Sequence, residues 1–267
     1  MPSPELNVVE LKPETREFYQ RALKALDDDG VPFLVCGAFA LQAYTQIVRR
    51  TKDLDIFVQP ADRERALSAL SRAGFSTEIT FPHWLAKAYC NDDFVDIIFS
   101  SGNGMCPVDA TWFAHAVDGK ILGRPVKLCP VEEILWQKSF IMERERYDGA
   151  DVAHLLRACG KGLDWQRLLD RFGPHWPVLL NHLILFGFIY PGERSVIPAM
   201  VLRDLLARQH SEVGTQDADD RLCRGPILSR EQYLVDIERW GYRDARLRPL
   251  GKMSAQEIDL WTKPIRQ

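Results

Sequence analysis

The stretch that decides the fold reads Val35-Cys36-Gly37-Ala38-Phe39-Ala40-Leu41, followed by Arg49-Arg50-Thr51-Lys52-Asp53-Leu54-Asp55-Ile56-Phe57-Val58. Successive side chains of a strand point to opposite faces. Asp53 and Asp55 therefore share one face, while Leu54, Ile56 and Val58 share the other. Two aligned carboxylates repel each other and are costly to desolvate. A divalent cation between them removes both problems, and magnesium prefers such oxygen ligands. A third acid, Asp96, lies inside the later apolar strand Phe94-Val95-Asp96-Ile97-Ile98-Phe99 and asks for a partner of its own. Between the first strand and the next helix stands Gly37. A helix starting there offers free backbone N–H groups and a positive dipole end, which suit a triphosphate. Each part alone has a plain reading: Asp53 caps a strand entrance, and Asp55 pairs with a nearby arginine. Together the three parts point to a site for phosphoryl or nucleotidyl transfer.

These residues resemble the nucleotidyltransferase superfamily that includes DNA polymerase beta. Its pattern is a strand, a Gly-Ser or Gly-Gly turn, a helix, an acid-x-acid strand and a third acid on a later strand. Within it, GAFALQAY and RRTKDLDIFV are most similar to the bacterial AbiEii-type and related minimal nucleotidyltransferases, some of them toxin components. The likeness covers about residues 31–100 and, more loosely, the chain to about 160. It implies a mixed sheet flanked by helices, two magnesium ions, and an NTP such as ATP as donor. The implied acceptor is a hydroxyl of an RNA end, a protein or a small molecule, and an antitoxin protein is the implied partner. Asp53 and Asp55 would hold metal, and Asp96 would hold one ion and help deprotonate the acceptor. Gly37, Ala38, Arg50, Thr51 and Lys138 would contact the nucleotide. One departure stands out: Ala38 occupies the place of the usual Ser or Gly, so a phosphate-binding hydroxyl is lost while backbone N–H groups remain. A nucleotide-binding module with weak or no turnover is the alternative.

The 267 residues are 46% hydrophobic and 27% charged, with a formal net charge of -3. That length suits one large domain or two modest ones and is ample for a core. The composition excludes a disordered, collagenous or low-complexity chain. The mild acidity argues against bulk electrostatic capture of nucleic acid or anionic membrane. The most apolar run, Pro177 to Tyr190, is interrupted by Asn181 and His182, so no membrane span is expected. An acidic N-terminal stretch and six scattered cysteines fit a cytoplasmic protein with reduced thiols.

The pattern predicts an α+β fold: a nucleotidyltransferase-like domain over residues 1–130, then a helical domain over 131–210. Residues 211–267 read as a linker and a tail anchored by Tyr233, Trp240 and Tyr242. Helices are expected at 13–28, 38–47 and 61–73, and strands at 32–36, 54–58 and 94–99, with a short one at 126–128. After Pro130 the expected helices are 131–145, 150–158, 165–172 and 178–188, and residues 210–226 read as a loop. The aromatic residues Trp165, Phe172, Trp176, Phe186, Phe188 and Tyr190 look like helical core.

In the helix expected over 131–145, Lys138 falls within the apolar stripe of Ile134, Leu135, Ile141 and Met142. A lysine there needs an anion or a route to solvent. The anion favoured is an NTP phosphate. Further on, Asp148 is placed to cap a helix and Asp151 to favour its dipole, with an Arg146–Asp151 pair expected. His83, Trp84 and Lys87 are candidates to line the nucleotide pocket.

Overall fold

The computed structural model describes residues 11–49, 51, 53–214 and 221–263. Two compact units divide the chain, Met1–Pro130 and Val131–Gln267.

The first unit begins with α1 (Pro13–Asp28), whose proline sits in the first turn, where its missing N–H costs nothing. Then come β1 (Leu34–Val35), α2 (Gly37–Thr45), β2 (Asp53–Phe57) and α3 (Arg63–Arg72). A hairpin of β3 (Ser76–Phe81) and β4 (Leu85–Cys90) leads into β5 (Asp93–Ile98). The short α4 (Ala110–Ala114) precedes a second hairpin, β6 (Val117–Ile121) and β7 (Arg124–Leu128). All seven strands form one sheet in the order β3-β4-β5-β2-β1-β7-β6. The β2–β5 and β1–β7 pairs are parallel and the others antiparallel, so the sheet is mixed.

One face of this sheet is the core. Leu54 and Ile56 of β2, Val95 and Ile97 of β5, and Ala86 and Ala88 of β4 cluster with Phe18, Ala22, Leu23 and Leu26 of α1. Ala66, Leu67, Ala69 and Leu70 of α3 join the same cluster, at the helical spacing that gives one apolar stripe. The other face carries Asp53 and Asp55, because strand side chains alternate. Its far end is closed by Trp112 of α4, stacked on Phe57 at 5.4 Å.

Three of these strands escape the sequence reading. The apolar strand at 94–99 is the fifth strand in the chain, because the β3–β4 hairpin fills the interval before it. Strand β3 is an edge strand with much of its surface exposed, so it lacks the apolar face that marks a buried strand. Strand β6 likewise lies at the opposite edge.

The second unit contains α5 (Val131–Ser139), α6 (Gly149–Cys159), α7 (Trp165–Phe172), α8 (Trp176–Ile189) and α9 (Ala199–Glu212). Helix α5 stops at Ser139, six residues before the expected end at Glu145. There the chain turns back, with Met142 bridged to Tyr147 and the Asp148 N–H donating to the Ile141 carbonyl. Helix α9 runs into the segment expected to be a loop.

The tail is folded. It contains β8 (Leu222–Cys223), α10 (Gly225–Leu228), α11 (Leu234–Glu238), β9 (Arg243–Asp244) and α12 (Ala255–Thr262), the last with a Ser254–Glu257 capping box. Its anchor is Trp261 with the fully buried Arg246 beneath it, whereas Trp240 is 60% exposed. Phe188 is also no core residue, at 80% exposure. The run Trp165–Ile189 is long and apolar enough to cross a membrane, contrary to the sequence expectation. Gly173, at φ 48°, breaks it into the separate helices α7 and α8.

Candidate active site

Backbone register brings the three acids together. In the parallel β2–β5 pair, Asp55 lies opposite Asp96 and Asp53 opposite Phe94. Residues opposite each other share a face, so Asp53, Asp55 and Asp96 converge. One carboxylate oxygen from each lies within 4.8 Å of the others, and all three side chains are half-buried. Three oxygen donors at that spacing are the donor set a hard divalent cation takes.

Each acid is held by a different neighbour. Asp55 lies against Gly37, where the chain turns into α2 with φ 56°. A side chain at position 37 would collide with the Asp55 carboxylate, so only glycine lets acid and helix start meet. The Cys36 N–H donates to the Asp55 carbonyl at 3.0 Å and locks the crossing. Helix α2 has no side-chain cap, and its first N–H groups, Ala38 in the first turn included, have no partner within the helix. Thr51 donates its hydroxyl to Asp53 Oδ1 at 2.7 Å, so this residue orients a carboxylate. Arg50 and Lys52 lie outside the described residues.

Asp96 meets Lys87, directly opposite it on β4. The Lys87 Nζ is 2.6 Å from Asp96 Oδ1 and 3.9 Å from the centre of the Phe94 ring. Burial pushes the Asp96 carboxyl above the usual range; the hydrogen bond and charge of Lys87 oppose this, and the Asp53 charge adds to it. The negative field also reaches Tyr19 of α1. Its phenol is pushed up first by burial and then by Asp93, Asp53, Asp55 and Asp96.

No family model matches the sequence, and no curated protein matches it. Among solved structures, the chain is similar to the antibiotic-resistance factor ANT(2'')-Ia, at 19% identity and a TM-score of 0.43 over 64% of this chain and 98% of that one. A lincomycin-bound lincosamide antibiotic adenylyltransferase, LnuA, shares 16% identity at a TM-score of 0.38, over 56% and 98% of the two chains. JHP933 from Helicobacter pylori shares 14% identity at 0.40, over 78% and 100%. Likenesses this distant assign no activity, and the site rests on its own geometry.

Lys138 belongs to the second unit. Its Nζ lies 2.7 Å from Asp148 Oδ2 and 2.8 Å from Asp151 Oδ2, so these two carboxylates supply the anion its apolar setting demands. Arg146 donates to both oxygens of Asp148 at 2.9 Å. Asp148 stands at the start of α6, but its side chain serves these cations and makes no capping bond. Burial alone would raise Asp148 and depress Lys138; Arg146 and Lys138 instead hold Asp148 below its ordinary range, and Asp148 and Asp151 hold Lys138 above its own.

Lys87 as the partner of Asp96 is the contact that sequence reasoning missed. The signal was present: Asn91-Asp92 forms a two-residue turn, with Asn91 at φ 53°. Such a turn sets Cys90 against Asp93 and, counting outward, Lys87 against Asp96. His83 Nε2 lies 2.9 Å from the Gly102 carbonyl oxygen, and Trp84 stacks on Phe81, so both have structural partners.

Proposed function

We propose that this protein is a magnesium-dependent nucleotidyltransferase that moves an NMP from an NTP to a hydroxyl acceptor. The observation that carries this reading is the convergence of Asp53, Asp55 and Asp96 beside the start of α2. The repulsion of like charges gathered on a sheet face is a cost to the fold, and a bound cation would offset it.

Asp53 and Asp55 would hold the metal ions, and Asp96 would share one of them. When bound, divalent ions neutralise the carboxylates and draw charge from the triphosphate oxygens. The chain's own groups have separate tasks. Thr51 holds Asp53 in its orientation, and Gly37 lets Asp55 reach the helix start. The N–H groups of Gly37 and Ala38 would donate to phosphate oxygens. Arg50 is a further phosphate ligand in this reading. Lys138 would serve the nucleotide only by leaving Asp148 and Asp151.

The reaction forms a bond from the acceptor oxygen to the α-phosphorus and breaks the bond to the bridging oxygen of the leaving pyrophosphate. The acceptor's proton would go to Asp96, the general base of this reading. The acceptor is an RNA end, a protein or a small molecule. In an AbiEii-type setting an antitoxin protein would bind this chain.

Labelled NTPs with magnesium, offered to the protein with RNA, protein and small-molecule hydroxyl acceptors, test the proposal. Label should pass to one acceptor class with the wild type and not with Asp53→Asn or Asp55→Asn. The second reading, nucleotide binding without turnover, is favoured by Ala38, which brings no hydroxyl to the phosphate. It predicts metal-dependent NTP binding with no pyrophosphate released for any acceptor.

A further inference from the structure

The pairing of Lys87 with Asp96 has a setting unlike that of an ordinary cross-strand ion pair. Such pairs usually stand in water and contribute little. Here the two side chains are 19% and 14% exposed, and the lysine's partner is one of three acids gathered within 4.8 Å. The ammonium is fixed from two sides, by Asp96 Oδ1 and by the face of Phe94, both on β5. Glu78 is its register neighbour on the other side, but that residue is exposed and accepts the Tyr89 hydroxyl at 3.3 Å.

We propose that Lys87 is the resident counter-cation of the acid triad and sets how tightly the site takes a divalent ion before nucleotide arrives. This rests on the metal-binding reading above. The Lys87 ammonium lies against one of the three carboxylates, so an entering divalent ion meets a positive charge at Asp96. Without Lys87 that repulsion is gone, and the site binds divalent cations more tightly.

The test is binding of manganese alone to the full chain, read from the electron paramagnetic resonance of the free ion. Lys87→Met and Lys87→Gln should each bind about tenfold tighter than wild type, the size expected when one unit charge near a divalent ion is removed in a wet site. Lys87→Arg, which keeps the charge, should stay within about twofold of wild type. A merely structural lysine gives the opposite, because its loss disorders Asp96 and weakens binding. Equal or weaker manganese binding by both Lys87→Met and Lys87→Gln overturns the proposal. The glutamine retains a hydrogen bond to Asp96, so it reports even where the methionine variant does not fold. Asp53→Asn separates the two levels: if it binds manganese as wild type does, the metal reading itself fails, and the role of Lys87 falls with it.

Discussion

Each unit of this chain gathers charge in a partly buried place, and the two gatherings differ in kind. In the helical unit, Lys138 and Arg146 meet Asp148 and Asp151, two cations with two anions, each at ion-pair distance from an opposite charge. In the sheet unit, three aspartates converge, and Lys87 faces one of them, Asp96, at ion-pair distance. In the first cluster, Lys138 and Asp148 are both driven toward their charged forms. In the second, Asp96 and Tyr19 are both pushed toward their protonated forms. Opposite charges in contact satisfy one another, whereas gathered like charges carry a repulsion that a bound cation would offset.

Substitution should separate the two most sharply. Asp55→Asn removes a proposed metal ligand and should lower nucleotidyl transfer on the order of a thousandfold, equivalent to several kcal/mol of lost transition-state stabilisation. It should leave the melting temperature unchanged or raise it, because a like charge is relieved. A melting temperature that drops with activity would make Asp55 structural.

Lys138→Met should do the reverse. It strands Asp148 and Asp151 beside Arg146, and breaking a buried pair this way costs about 3–5 kcal/mol. Urea unfolding reads the loss, and manganese binding at the triad should not change. Manganese binding that fell with Lys138→Met would join the two clusters functionally and return Lys138 to the nucleotide site.

Gly37→Ala is a smaller perturbation aimed at one contact. The added methyl meets the Asp55 carboxylate at a positive φ, so about 1–2 kcal/mol of stability should be lost, with metal affinity falling too. Calorimetry with and without manganese distinguishes this from a backbone effect alone, in which metal affinity would hold.

The smallest effect belongs to the helical unit. His182 is held below its ordinary value of 6.5 by burial, opposed by its bond to the Ser139 carbonyl, and His175 is lowered by burial and the Arg224 charge. Between the lowered values and 6.5 the unfolded chain binds more protons. The stability these histidines allow is therefore full above that value and is lost as the pH falls through the window. The melting temperature should decline modestly from pH 7.5 toward 5.5, and His182→Gln should flatten the slope.

The site was more legible than the frame around it. Alternation alone put Asp53 and Asp55 on one face, and the isolation of Asp96 in an apolar run marked it as needing a partner. Gly37 stood out because a turn between an apolar strand and an apolar helix requires it. The β3–β4 hairpin was not legible, because an exposed edge strand such as Ser76–Phe81 lacks a buried face to show as a pattern. Its consequence, Lys87 opposite Asp96, went unread with it. The end of α5 was also hidden: Ile141 and Met142 continue the apolar stripe in sequence but belong to a turn closed by the Asp148 N–H on the Ile141 carbonyl, and the Met142 N–H donates to the Leu228 carbonyl. In the tail, aromatic residues were the wrong guide. Arg246, charged yet fully buried, packs under Trp261, and no hydrophobic pattern announces a buried arginine.

Calorimetric titration of an NTP into the wild-type protein and Asp53→Asn, each with and without magnesium, tests the central claim most directly because it needs no acceptor. The wild type should bind nucleotide in a magnesium-dependent manner, and Asp53→Asn should lose that dependence. Nucleotide binding that ignores both magnesium and Asp53, or no binding at all, would contradict a metal-assisted nucleotide site on this sheet.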